Sequence, residues 1–558
     1  MNKTLSFLLS LACALCLVLP LEGRVVERTY LFTDRDVYVA GDELRYSAFC
    51  LDASRGELSN VSSVAYVELR NGASTVCTGK VALKGGRGAG SLKLPVTIPT
   101  GNYRLVAYTS QNKAERGYDY TGIASKVISV YNVFSTERAG EEMPDQVRHD
   151  GMVQAGEDVI PGLTRDLELS WDGQALSLVN HARTAMSLSL SVYHDDGFPS
   201  NGNPVFADFL SGCAGLGSRV FNEDAPEYEG EVIRAHVAGS SDLLSSGLAG
   251  RVAFLSSPSI SPEVYAATID PEGRAEFYTG NIYGEKECVC EIEGDVPAGV
   301  HLELESPFAG MPVAAVPPLR LDPSLKDALL ERSVRMQIGR QFASDTLQDR
   351  LPVRDNALKC EDEVVYRLDD YTRFPTMEEV LVEIVTHLRY RRRSDGTADI
   401  KVKLNDVTGG LFSQGPTLML LDGVPVFDQQ KIIDYDPSLV EAIHVYPHVF
   451  SIGQRYFEGV ANFVTYKHNL PSFPFGDQVR VVEWQGVSYP EAISGEAVTE
   501  AYPDYRPLRV WQPLLELAPG ARCGFPCARP LYGGSFIAVA EGIAADGTPV
   551  RAEIRFEL

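Results

Sequence analysis

Between Thr29 and Val133 the chain offers only short apolar runs, and the clearest of them alternates. Leu44, Tyr46, Ala48 and Cys50 fall at every second position, as one face of a strand demands. Further runs follow at Val64–Leu69, Ser91–Val96, Tyr103–Tyr108 and Lys126–Val133, and turn-forming residues at Thr33–Asp36 and Gly41-Asp42 punctuate the start. No segment of helical period interrupts them, so this part of the chain reads as a β-sandwich.

At 558 residues the chain is too long for one hydrophobic core, and at about 100–200 residues per domain it should hold several. Fifty Lys and Arg against 75 Asp and Glu leave a net charge of −25, which repels phosphate backbones, so no nucleic-acid partner is expected. The one basic cluster, Arg389 and Arg391–Arg393, follows an apolar-periodic segment, where cations would offset the negative end of a helix dipole.

Lys3, an apolar run from Leu5 to Leu19, then Pro20 and Gly23 have the anatomy of a secretory signal peptide, which implies export to the periplasm or outer membrane. Later apolar stretches fall short of the length of a membrane span, so no transmembrane helix is expected in the mature chain. Cys13 and Cys16 lack the Leu three residues upstream that precedes the acylated Cys of lipoproteins. The cysteines at 50, 77, 213, 288, 290, 360, 523 and 527 would lie in a compartment that permits disulfides. Cys523 and Cys527 flank Gly-Phe-Pro and could bridge a loop, with simple burial the alternative; paired CxxC spacings for zinc are absent.

The segment Thr33-Asp34-Arg35-Asp36-Val37-Tyr38-Val39-Ala40-Gly41-Asp42, with Gly101-Asn102-Tyr103-Arg104-Leu105, resembles the opening strand-turn-strand and a late strand of the macroglobulin-type domain. That domain occurs in α2-macroglobulins and in large exported Bacteroidota proteins. Gly41 can take the positive φ of a tight turn and Tyr38 can fill the core between sheets. Macroglobulin traps carry a Cys-Glu-Gln thioester segment; the tripeptide does not occur in this sequence, so covalent trapping is not expected.

Residues 135–165 are rich in Glu, Asp, Gly and Pro and read as a linker. Beyond it Met186, Leu188, Leu190 and Val192 alternate with Ser187, Ser189 and Ser191, which predicts one buried and one wet face. Residues 194–204 form a long loop. From Glu227 another β module begins, similar to immunoglobulin-like modules, with Asp270-Pro271-Glu272-Gly273 as a hairpin-like turn. A connecting helix is predicted over Ser324–Phe342 with Ser324 as its cap. A second helix starts at the Thr376-Met377-Glu378-Glu379 capping box, where Met377, Val380, Leu381, Ile384, Val385 and Leu388 recur on one face.

After that helix come strands at Ile400–Leu404, Thr417–Leu421, Ala442–Val445 and Val460–Thr465, with a short helical stretch near Gln429–Tyr435, an α+β unit. Leu420-Leu421-Asp422-Gly423-Val424-Pro425, Ile443-His444-Val445 and Gly459-Val460-Ala461-Asn462-Phe463-Val464-Thr465 resemble the plug domain of TonB-dependent receptors. Only residues 467–558 follow Tyr466, whereas a 22-stranded barrel at about ten residues per strand needs well over 200, so no transport barrel is expected. In the tail, Asp504-Tyr505-Arg506 with Trp511-Gln512-Pro513 is similar to the sequence that follows the plug-like unit in the related Bacteroidota proteins. Ala545-Asp546-Gly547-Thr548 reads as a hairpin turn.

Catalytic signatures such as HExxH and GxSxG are missing. His444 and His448 share a strand face about 13 Å apart, too far to hold one metal. Asp34-Arg35-Asp36 with Gly41-Asp42-Glu43 faintly resembles a calcium loop, but Val39 stands where an EF-hand needs Gly. The Asp195-Asp196 to Asn203 loop also offers oxygen ligands. Asp422-Gly423 reads as a tight turn rather than a catalytic acid.

These readings give a mainly β, multidomain fold of successive macroglobulin- and immunoglobulin-like β-sandwiches plus an α+β plug-like domain. The expected segments are a signal peptide (1–23), a macroglobulin-type sandwich (24–134), a linker (135–165), a β domain (166–226), an immunoglobulin-like sandwich (227–316), a helical connector (317–350), the plug-like domain (351–470) and a C-terminal sandwich (471–558). The expected function is non-enzymatic binding or scaffolding in the cell envelope, with an envelope protein, a glycan or an outer-membrane barrel protein as partner. The alternatives are an accessory subunit of an outer-membrane transport or secretion complex and, last, an unrecognised peptidase. No catalytic, cofactor-binding or metal residue is assigned, and no cofactor is expected.

Overall fold

The computed structural model describes residues 26–112, 125–139, 164–213, 227–239, 247–310, 313, 316–342, 348–353, 357–405, 410–496 and 504–558. The expected signal peptide (1–23) and most of the expected 135–165 linker lie outside the described residues. The chain divides into two compact units: Met1–Tyr228, Phe308–Pro352 and Val487–Leu558 form unit 1, and Glu229–Pro307 with Val353–Gly486 form unit 2. Among the described residues, no helix is long and apolar enough to cross a membrane.

Unit 1 begins with the sandwich expected from the alternation. One sheet pairs Glu43–Asp52 with Glu27–Thr33, Glu57–Leu58 and Arg87–Lys93; the other runs Val37–Val39, Ser125–Tyr131, Gly101–Tyr108, Val64–Asn71, Ser74–Ala82. Leu44, Tyr46, Ala48 and Cys50 enter its core with Tyr38, Val67, Leu105 and Ile128. Gly41 turns with φ 90°.

The second sandwich of unit 1 corrects the expected boundaries. Met186–His194 lies between Leu508–Leu517 and Ser535–Ala544, and Ala175–Asn180 pairs Arg522–Pro526. Strands assigned to separate domains at 166–226 and 471–558 therefore share sheets, because each leaves a free hydrogen-bonding edge that only the other covers. Part of the supposed helical connector, Gln348–Arg350, is also a strand, paired with Glu491–Ile493. The hairpin at Ala545–Thr548 forms as expected, with Gly547 at φ 84°.

The expected wet face of Met186–His194 is also corrected, since Ser189 and Ser191 are fully buried. The first sandwich covers them: Ser47 and Ser189 hydroxyls meet at 2.6 Å, Ser191 donates to the Asp34 carbonyl at 2.8 Å, and Arg87 donates to the carbonyls of Leu188 and Pro513 at 2.7 Å. Beside this polar seam Phe32 stacks on Trp511 at 5.8 Å, and Tyr30 and Phe49 pack against Phe206 of helix α1 (Phe206–Cys213). Helix α2 (Lys326–Phe342) follows a 3-10 turn; its approach is capped by Asp322, which accepts from the Ser324 N–H, rather than by Ser324.

Unit 2 holds a second kind of sandwich: Arg274–Tyr278, Val232–Ala238 and His301–Leu304 face Glu263–Thr268, Val252–Ser257, Glu285–Ile292 and Arg480–Gln485. The last strand comes from the segment assigned to the C-terminal domain. Gly273 closes the Asp270–Gly273 turn, yet the strands on either side enter opposite sheets, so the turn is an arch and not a hairpin.

The rest of unit 2 is the α+β unit. Its sheet runs Val364–Arg367, Val440–Ile452, Arg455–Thr465, Leu418–Leu421, Val424–Pro425, with the Leu418 strand parallel to its neighbour. Thr376 and Glu379 form the expected capping box on helix α3 (Met377–Glu383), and the whole predicted face from Met377 to Leu388 is buried. The helix nevertheless ends five residues before Leu388. Ile384, Val385 and Thr386 are β-branched, and Leu388–Arg392 pairs with Ala398–Val402 across a turn in which Gly396 has φ 89°. The basic cluster thus lies on a hairpin, where Arg393 pairs with Asp399 at 2.6 Å and Arg389 covers the Phe412 ring at 4.2 Å. Helix α4 (Gln430–Ile433) occupies the expected short helical stretch.

Candidate functional site

Two stretches singled out as faint calcium loops meet in unit 1. Asp34 and Asp42 bracket the first turn of the N-terminal sandwich, and Asp196 opens the loop after Met186–His194. Asp34 and Asp42 are buried, and the Asp196 side chain is 8% exposed.

Asp34 Oδ1 accepts from the Tyr38 hydroxyl at 2.7 Å and from the Arg45 N–H at 2.8 Å. Arg35 donates to Asp42 at 3.0 Å and lies 3.5 Å from Asp34 Oδ2. Asp42 also accepts from the Val39 N–H at 3.0 Å, tying off the Gly41 turn. Arg332 of α2 completes the network, with Asp196 at 2.7 Å, the Val37 carbonyl at 2.7 Å and Asp42 at 3.6 Å. His194 Nδ1 hydrogen-bonds Asp196.

Charge follows from this geometry. Burial pushes the Asp34 carboxyl up, against the Arg35 charge and the Tyr38 hydroxyl. Burial acts the same way on Asp196, but there the Arg332 charge and the His194 hydrogen bond prevail and hold it below the usual carboxylate range. Each acid is thus matched by an arginine, an arrangement suited to joining elements rather than to releasing oxygens for a cation.

Asp34, Arg35, His194, Asp196 and Arg332 line one side of a half-open recess of about 300 Å³. The other side is built on the C-terminal hairpin, where Glu541 accepts from Arg551 at 3.0 Å, from Tyr30 at 3.3 Å and from the Phe206 N–H at 2.5 Å. The loop asparagines turn away from the acids. Asn203 bonds both the N–H and the carbonyl of Val127, at 2.7 and 2.9 Å, and Asn201 donates to the Val127 carbonyl at 2.9 Å. They hold the edge of Ser125–Tyr131 instead of converging with Asp195 and Asp196.

The remaining singled-out residues lie elsewhere. His444 and His448 each meet a separate acid, Glu363 at 2.6 Å and Asp362 at 3.4 Å. Cys523 and Cys527 are unbridged, because Arg522–Pro526 is an extended strand that carries them apart. In unit 2 Asp422 is fully buried with φ 48°, and its carboxylate accepts from the Thr465 N–H and hydroxyl and from the Leu470 N–H. Sequence reasoning missed Arg332, Glu541 and Arg551. The last two were within reach, since the Ala545–Thr548 turn sets Glu541 opposite Arg551 in the hairpin register.

Residues 28–121 match the model of the MG2 domain. The N-terminal sandwich is therefore of macroglobulin type. Among solved structures, trypsin-activated α2-macroglobulin from Escherichia coli is 9% identical, with 96% of this chain and 41% of that chain covered and a TM-score of 0.23. Salmonella α2-macroglobulin reacted with methylamine is 10% identical, with 96% and 24% covered and a TM-score of 0.16. Dimeric latent PorU from Porphyromonas gingivalis is 8% identical, with 95% and 33% covered and a TM-score of 0.15. The chain spans less than half the length of each. No curated protein matches it.

Proposed function

We propose that the chain is an exported, non-enzymatic binding and scaffold protein of the cell envelope, in which macroglobulin- and immunoglobulin-like sandwiches carry a plug-like α+β module. The observation that carries this reading is the commitment of the buried charges in unit 1. Asp34, Asp42 and Asp196 are spent on Arg35, Arg332 and backbone groups that hold sheet, loop and helix in one arrangement. A rigid frame of this kind presents loops and strand edges to a partner. In unit 2 the plug-like signature serves the same end: Asp422 and Asn462 clasp backbone, and the Asp422 carbonyl accepts from the Ser259 N–H of the neighbouring sandwich at 2.7 Å.

The test is cross-linking of the tagged mature chain in intact envelopes, followed by detergent extraction and mass spectrometry. A stoichiometric envelope partner is expected. A barrel protein in that role selects the accessory-subunit form of the proposal. An uncross-linked monomer that hydrolyses peptide substrates would overturn it.

A further inference from the structure

Within unit 2 the sandwich and the α+β unit line a half-open cavity of about 430 Å³. Alternation along Glu285–Ile292 sends Cys288, Cys290 and Ile292 into the sandwich core, which leaves Val289 and Glu291 on the outer face. That face is not wet, for Val289 packs into the core of the α+β unit. Glu291 is drawn under the same cover. Its Oε1 is sealed from solvent and has no hydrogen-bond partner.

A sealed acceptor without a donor is destabilising, so its retention needs a reason. The surrounding charges are already engaged. Lys431 of α4 donates to the Pro474 carbonyl at 2.9 Å, Glu293 pairs with Arg455, and Asp428 accepts from the Gln430 N–H at 3.1 Å. Asp295 adds a third acid to the lining. Phe427, Phe473 and Phe475 also line the cavity; Phe473 already takes the Lys431 ammonium 5.7 Å from its ring centroid, and Phe475 meets the Phe473 ring edge-on at 5.3 Å. An unsatisfied carboxyl, a surplus of acids and aromatic walls together describe a receptor for a cation on an apolar stem.

We propose that this cavity binds an aliphatic primary amine as its ammonium ion, with the Glu291 carboxylate turned toward the cavity by a side-chain rotation as acceptor and Phe427, Phe473 and Phe475 lining the stem. Burial prevails over the Lys431 charge, with a smaller push from Glu293, and takes Glu291 up to about 8, so at neutral pH it is mostly protonated. Ammonium binding favours the carboxylate, and the Glu291 proton leaves to solvent. Affinity therefore rises with pH until Glu291 is ionised, and persists until the amine loses its own proton at about pH 10.

The experiment is calorimetric titration of the full chain with hexylammonium chloride at about pH 6 and about pH 8.5, with 1-hexanol and hexanoate as controls. The expected result is binding about tenfold or more tighter at the higher pH, with proton release at neutral pH read from the dependence of the heat on the buffer. Glu291→Gln is close to isosteric with the protonated acid and should fold; it should weaken binding and remove the pH dependence. Slower amide exchange over residues 286–294 and 425–433 with hexylammonium would place the ligand in this cavity. Equal binding of 1-hexanol, unchanged binding by Glu291→Gln, or no hexylammonium binding at either pH would overturn the proposal.

Discussion

The Asp422 carboxylate accepts two hydrogen bonds from Thr465, one from its N–H and one from its hydroxyl, each at 2.6 Å. The two residues end neighbouring parallel strands, and Asp422 reaches on to the Leu470 N–H at 2.8 Å. What looks in the sequence like an acid beside a flexible glycine is a clasp that closes the sheet.

Asp422→Ala leaves the Thr465 and Leu470 donors buried without an acceptor, at a cost on the order of 3 kcal/mol. Asp422→Asn keeps one acceptor oxygen and tolerates the positive φ, so it should lose less. Hydrogen exchange of peptides spanning 417–470 checks both, because it reads unit 2 without assuming that the whole chain unfolds together.

Gly423 has φ 84°, and a Cβ there would stand 3.0 Å from the Ser259 carbonyl oxygen and 3.3 Å from Pro262 Cα. Gly423→Ala should cost on the order of 2 kcal/mol and loosen the joint between the sandwich and the α+β unit. Faster exchange in residues 257–262 is the expected readout.

Asp504 accepts from Arg506 at 2.9 Å and from Arg509 at 2.5 Å. Burial alone would raise its carboxyl, but the Arg506 hydrogen bond and the Arg509 charge prevail and take it down to about 2. A carboxyl depressed on folding contributes stability above its unfolded value near pH 4 and loses it as the pH falls toward 2, about 2 kcal/mol in all. Denaturation of the native chain between about pH 5 and 2 should show that loss. In Asp504→Asn this contribution should be absent throughout, with lower stability at neutral pH.

Arg332→Ala removes the cation shared by Asp196 and the Val37 carbonyl. Breaking one side of a buried pair costs about 3–5 kcal/mol, and the low end applies here because His194 and Arg35 still engage the acids. Limited proteolysis should then cut within Lys326–Phe342, which the native chain protects.

Much of the local structure was legible in the sequence. The alternation at Leu44–Cys50, the capping box at Thr376–Glu379 and the Ala545–Thr548 turn each depend on neighbours within one element. The end of α3 was not legible, because Ile384, Val385 and Leu388 continue the apolar face whether the backbone is helical or turning. The site was harder still. Asp34, Asp42 and Asp196 were visible as acids, but the arginine that joins two of them comes from a helix far along the chain.

By itself the sequence determined the strands, their inward faces, the turns and the macroglobulin-type opening, since these rest on short-range periodicity and on Gly and Asp backbone preferences. Only the tertiary structure decided which outward faces stayed wet and which strands shared a sheet. Ser189 and Glu291 occupy positions that alternation marks as exposed, yet each is covered by a neighbouring domain. Met186–His194 takes its partners from the end of the chain. An unpaired strand edge accepts any chain that satisfies its N–H and C=O groups, so the choice is made by packing in space and leaves no local mark.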